Sequence, residues 1–151
     1  MKRQAGFSLI ELMTVIGIIA ILAAIATPNV FVWAANSRFN RGVRDVQAAV
    51  QNMRLFALKE NSLAKITFTS GASSTYQTDK WKRGLGAAAH QIETRSLPPG
   101  VTVSYANSAG GELIFNSRGM ATAPPQTIRV TGQDGKFRDI IVNLTGRTQI
   151  G

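Results

Sequence analysis

Apolar residues crowd the first part of the chain and then thin into periodic patterns. Residues 7–27, FSLIELMTVIGIIAILAAIAT, carry a single charge, Glu11. As a helix rising ~1.5 Å per residue this run would be about 30 Å long, the thickness of bilayer hydrocarbon. Beyond Pro28, apolar residues return at Phe39, Val43, Val46, Val50, Met53 and Ala57, in steps of four and three. Arg41, Arg44, Gln47, Gln51 and Arg54 take the other faces. That spacing predicts an amphipathic continuation that lays one side on a folded domain and ends within 59–62. Pro28 lacks a backbone donor, so a kink or local melting of the helix is expected there.

After Ser62 the pattern shortens to alternating or β-rich runs punctuated by Gly, Pro, Asn and Ser. Strands are expected over 65–69, 75–81, 92–97, 101–105, 112–116, 127–131 and 137–145. In the last run Ile140, Val142 and Leu144 share one face, while Asp139, Ile141 and Asn143 share the other. Pro98-Pro99-Gly100 and Gln133-Asp134-Gly135-Lys136 mark turns, the second a hairpin loop. The expected fold class is α+β: a long N-terminal helix, membrane-spanning in its first half and amphipathic in its second, packed on an antiparallel β-sheet domain. The expected divisions are a leader at 1–6, an apolar segment at 7–28, an amphipathic helix at 29–62 and a β-rich domain at 63–151.

A chain of 151 residues suits one domain with an appended element. Cysteine is absent, which removes disulfides and thiolate metal sites. The one histidine, His90, follows Ala87, Ala88 and Ala89 with no cluster of ligating residues beside it. Asp79, Glu93, Glu112, Asp134 and Asp139 show no acid/base, nucleophile or metal spacing, so neither an enzyme nor a cofactor is expected.

Lys2 and Arg3 precede the apolar run, which places the N-terminus in the cytoplasm and the domain on the far side of the membrane. An ordinary cleavable secretory signal is the alternative. The run is longer than such signals, contains a carboxylate and ends at Pro28-Asn29 without a small-x-small site. Gly6-Phe7-Ser8-Leu9-Ile10-Glu11-Leu12 resembles the class III signal of type IV prepilins and type II secretion pseudopilins. The resemblance implies cleavage by a prepilin peptidase between Gly6 and Phe7, and N-methylation of Phe7. It also implies that the chain leaves the inner membrane through an assembly platform to join other pilins or pseudopilins in a filament, periplasmic or extracellular.

A carboxylate in hydrocarbon costs roughly 2.5–3.5 kcal/mol and needs a partner. Cleavage would create one, the cationic amine of Phe7 on the same or an adjacent subunit, which makes Glu11 the expected filament-assembly residue. Alternatively Glu11 simply reaches the headgroups. Gly17, Ala20, Ala23 and Ala24 would let neighbouring helices approach closely, or are apolar filler.

Leu113-Ile114-Phe115-Asn116-Ser117-Arg118-Gly119, Thr127-Ile128-Arg129-Val130 and Ile140-Ile141-Val142-Asn143-Leu144-Thr145-Gly146-Arg147 look like minor pseudopilins of the GspH/FimT type. This resemblance implies a low-abundance subunit at the filament tip or in the initiating complex. The missing cysteine pair departs from many major pilins and points the same way.

The formal charge of +9 keeps nucleic acid and anionic surfaces in view as partners. Losing Lys2 and Arg3 with the leader leaves fifteen cations against eight carboxylates, an excess of +7. Lys80, Lys82 and Arg83 flank Trp81, and Arg129, Lys136, Arg138 and Arg147 form a late group. A basic loop with an aromatic could grip a nucleic-acid backbone and stack a base; the alternative is a tryptophan anchored in the core with solvated lysines. Some FimT-like proteins bind DNA in natural transformation through a C-terminal Gly-Arg-x-Arg stretch. Here Gly146-Arg147-Thr148-Gln149 keeps the first arginine and has Gln149 at the second.

Overall fold

The computed structural model describes residues 6–69, 71, 74–81, 90–105, 112–122 and 126–151; the side chains of 26–29 and 90 are outside this description. The kink expected at Pro28 and the environment of the His90 ring therefore lie outside the described groups, as do Lys82 and Arg83. The chain falls into two units, residues 1–34 and residues 35–151. Helix α1 is Leu9–Lys59. Among the described residues no single helix is long and apolar enough to cross a membrane, whereas the bent pair Leu9–Ile25 and Val30–Lys59 taken together has the length and composition of a span.

In the first unit every described side chain is exposed up to Trp33. Leu9, Ile10, Leu12, Met13, Val15, Ile16, Ile18, Ile19, Ile21, Leu22 and Ile25 point in all directions around the helix without cover from the chain itself. A helix apolar all round has its partners in lipid or in other helices.

In the second unit the predicted stripe is the buried one. Phe39, Val43, Val46, Val50, Met53 and Ala57 are each at most 7% exposed, and α1 ends at Lys59 within the expected window. Among the described residues eight strands follow: β1 (Ala64–Thr69), β2 (Thr75–Trp81), β3 (His90–Ser96), β4 (Thr102–Tyr105), β5 (Glu112–Phe115), β6 (Gln126–Thr131), β7 (Phe137–Val142) and β8 (Thr148–Ile150). They form two antiparallel four-stranded sheets, ordered β3-β2-β1-β5 and β4-β6-β7-β8. One cluster joins the helix stripe to Ala64, Ile66, Phe68, Leu113 and Phe115 of the first sheet and to Val103, Ile128, Val130, Ile140 and Val142 of the second. The burial of alternate residues along β1 and β6 follows from the two-residue repeat of a strand with one face on this core.

The expected strand 137–145 ends early, and a further strand follows beyond its expected range. β7 stops at Val142, because Asn143–Arg147 is a tight turn in which the Gly146 N–H donates to the Asn143 carbonyl (2.8 Å) and the Asn143 N–H to the Arg147 carbonyl (3.0 Å). The chain then returns as β8, pairing Ile150 with Ile140. The same pattern of two bonds closes Asn116–Met120 and Gly132–Lys136, with Gly119 and Gly135 in the place of Gly146 and all three glycines at positive φ. This three-residue hairpin loop needs a left-handed residue at its third position. The alternation of Leu144 with Val142 conceals it; Gly146 betrays it.

Candidate functional site

Two sets of residues carry the expected chemistry, one in each unit. In the first, Gly6, Phe7 and Ser8 lie outside any regular element, and α1 begins at Leu9. The Ser8 carbonyl accepts from the Glu11 N–H (3.1 Å) and the Leu12 N–H (3.2 Å), so Ser8 is the residue at the helix entrance. Glu11 is then the third helical residue, and Ser8-Leu9-Ile10-Glu11 has the spacing of a capping box. The first turn of a helix exposes unpaired N–H groups and the positive end of its dipole, which favours a carboxylate there. Glu11 thus has a local reason to be in this turn apart from its expected role in assembly, one that periodicity alone did not reveal. Among the described residues no cation pairs with it. Phe7 is 85% exposed, which leaves the Gly6–Phe7 bond open to approach. A side chain added at Gly17 would meet nothing within 4 Å.

In the second unit the structure separates the candidate cations by whether their charge is already used. Arg129 is used: it pairs across the strands with Asp139 through Nε–Oδ1 and Nη2–Oδ2, both 2.8 Å, with its guanidinium 4.2 Å from the Phe137 ring centroid. Arg129 holds the Asp139 carboxyl below its usual range, chiefly through these hydrogen bonds. Lys136 donates to Asn36 Oδ1 (3.1 Å) and lies 2.8 Å from Asp134, whose carboxyl it likewise holds down. Lys80 lies 3.5 Å from Glu93 and 5.9 Å from the Phe56 ring centroid. Arg95 takes the same Glu93 at 2.7 Å and is the main reason its carboxyl sits low. Trp81 is half-buried at the end of β2, opposite His90.

Arg138 and Arg147 have no carboxylate partner among the described residues. They are not neighbours. Arg138 joins Lys136, Asn36, Phe39 and Asn40 around a cleft of about 550 Å³ beside the Gly132–Lys136 turn. Arg147 lines a second cleft, about 370 Å³, with Gln51, Arg54, Leu55, Thr148 and Gln149. Arg54 was not singled out by the sequence pattern, where it is one polar helix position among several. Its Nε donates to the Gly119 carbonyl (3.1 Å), so one helix residue ties down a turn and places a second guanidinium near Arg147. Among the described residues no group of His, Cys, Asp or Glu is arranged to hold a metal.

Comparison with known proteins bears on both sets. Residues 1–27 match the prokaryotic N-terminal methylation motif, and residues 42–146 match the type II transport protein GspH model. Two fimbrial proteins of Pseudomonas aeruginosa are each 52% identical over 48 residues, 32% of this chain and 31% of theirs. The chain thus spans about a third of the length of the curated relatives it matches. The type IV minor pilin FimU of Pseudomonas aeruginosa has the same fold in two crystal forms. One gives a TM-score of 0.62 at 17% identity over 79% of this chain and 92% of FimU. The other gives 0.55 at 20% identity over 73% and 90%. With the methylation motif on the exposed apolar helix and the GspH pattern over most of the two-sheet domain, this chain belongs to the GspH family of type IV pilin-like minor pilins and pseudopilins.

Proposed function

We propose that the processed chain is a minor structural subunit that primes, caps or joins a type IV pilus or a type II secretion pseudopilus. The observation that carries this reading is an apolar helix whose side chains are exposed all round, attached to a domain that supplies its own core. Such a helix is stable in lipid before assembly and among other pilin helices afterwards. In this reading residues 1–6 are the leader, prepilin peptidase cuts between Gly6 and Phe7 and methylates Phe7, and the inner-membrane platform feeds the subunit into the filament. The domain faces the periplasm until then. Small subunit numbers are expected: a tagged chain recovered with sheared filaments should appear in a few copies grouped at one end. Even distribution along the shaft would overturn the minor role.

A second reading, a DNA receptor at the filament tip, is favoured by Arg138 and Arg147, which have no carboxylate partner among the described residues. Phosphate binding releases counterions, so an affinity resting on these groups falls steeply with salt. Joint replacement of Lys136, Arg138 and Arg147 by glutamine should then abolish DNA binding by the domain while filament numbers stay unchanged. Salt-independent or unaltered binding would remove this reading. Arg129, held by Asp139, should contribute less than Arg138 and Arg147.

A further inference from the structure

Three arginines, Arg38, Arg41 and Arg44, stand at intervals of three on α1 and are all exposed. Phe39 and Val43 between them and Val46 after them face the core, at most 7% exposed, so the guanidinium groups occupy the side of the helix turned away from the sheets. At ~1.5 Å per residue the three span about 9 Å along the axis. The ion pairs among the described residues lie elsewhere, and none engages these arginines. The nearest acid in sequence, Asp45, is half-buried and lines the cleft that holds Lys80, Glu93 and Arg95. The stripe therefore presents unneutralised charge.

Its place in the sequence is informative. The apolar run does not stop at Thr27: after Pro28-Asn29 it continues as Val30-Phe31-Val32-Trp33-Ala34-Ala35, and Arg38 follows within one helical turn. An aromatic residue and then arginines, just past an apolar segment, is the order in which a chain leaves hydrocarbon for the headgroup layer. Positive charge directly beyond a span also opposes translocation, so arginines kept there call for a compensating attraction. Arginine supplies one, because its planar fork bonds phosphodiester oxygens with two parallel hydrogen bonds.

We propose that Arg38, Arg41 and Arg44 form a docking stripe for anionic phospholipid headgroups on the far face of the membrane, holding the domain against the bilayer until the subunit is assembled. The proposal rests on the membrane-anchored reading above. A cation near such a surface changes partitioning by about fivefold, so three together give about a hundredfold. Assembly would have to break these contacts, and the lipid charge would set how readily a subunit is released.

The full processed chain, reconstituted into vesicles, tests this. Because the chain has no cysteine, Ser37→Cys gives a unique site for an environment-sensitive fluorophore within the stripe. In vesicles with about one-third phosphatidylglycerol the probe should shift to the blue relative to pure phosphatidylcholine, and ~1 M salt, where the Debye length is about 3 Å, should abolish the difference. Replacing Arg38, Arg41 and Arg44 by glutamine should reduce the phosphatidylglycerol-dependent shift at least fivefold. Lysine at the three positions, which keeps the charge without the planar fork, should restore only part of it, and glutamine at Lys136, Arg138 and Arg147 should leave it intact. Equal spectra in the two lipids, or a full shift in the glutamine variant, would overturn the proposal, as would a response to duplex DNA in place of phosphatidylglycerol. Failure of the chain to float with either vesicle would instead remove the anchored reading. Circular dichroism of each variant separates loss of docking from loss of folding.

Discussion

Replacing Gly146 by alanine is expected to lower the stability of the domain by about 2–5 kcal/mol. A left-handed conformation costs an L-residue roughly 1–2 kcal/mol, and forcing atoms into a packed site costs roughly 1–3 more. Both terms apply at Gly146. Its φ is +74°, and an added Cβ would collide with the Gly119 carbonyl oxygen and lie 2.8 Å from Arg54 Nε. Neither neighbour yields cheaply: the carbonyl is backbone, and the guanidinium is bonded to that same carbonyl at 3.1 Å. Gly135 supplies the control, since it has φ +80° in the same kind of turn with nothing within 4 Å of the added carbon. Its alanine variant should lose only the conformational part. Urea unfolding of the two variants measures the difference, which isolates the junction of turn, turn and helix. If Gly146→Ala were no worse than Gly135→Ala, the close approach would not constrain the fold.

Glu11→Ala should leave leader cleavage unchanged while reducing recovery in filaments by about tenfold or more, given the few kcal/mol at stake for a carboxylate in an apolar setting. The structure adds a second variant to this test. Because Glu11 is the third residue of α1, at capping-box spacing from Ser8, an alanine also removes a carboxylate that the first turn favours, and a frayed entrance could mimic an assembly defect. Glutamine keeps the side-chain acceptor suited to that position and discards the charge. Charge pairing with the Phe7 amine therefore predicts that Glu11→Gln fails as Glu11→Ala does. Normal incorporation of Glu11→Gln would assign the residue to the cap. Both are read from immunoblots of processed chain in membranes and in sheared filaments.

The parts of the fold visible in the sequence were those where one residue type does one job over several repeats. The stripe Phe39 to Ala57 is legible because each member meets the same core, and the runs that became β1, β2 and β6 because one face of each is buried. The division of the strands into two sheets was not legible, since local alternation says nothing about which neighbour a strand will choose. β8 was missed for a different reason. It has three residues, and the apolar Leu144 before it extends the rhythm of β7 through a turn whose geometry depends on one glycine.

The candidate site divides similarly. Glu11 is conspicuous because a charge in hydrocarbon has no ordinary place, whereas the positive surface was visible only in total. Which cations are free depends on cross-strand registers such as Arg129 with Asp139, and these arise only on folding. Arg54 gave no local signal, because its partner, the Gly119 carbonyl, is brought to it by the chain's return.

Among the described residues, the buried core of the second unit runs from Phe39 onward and is built from that unit's own side chains. A subunit passing from bilayer to filament exchanges one solvent for another around its first helix, a change of environment that would unfold most proteins. In the proposed role that exchange falls on described side chains that are exposed in the first unit, while the buried core belongs to the second. On that proposal the globular part would pass from bilayer to filament already folded.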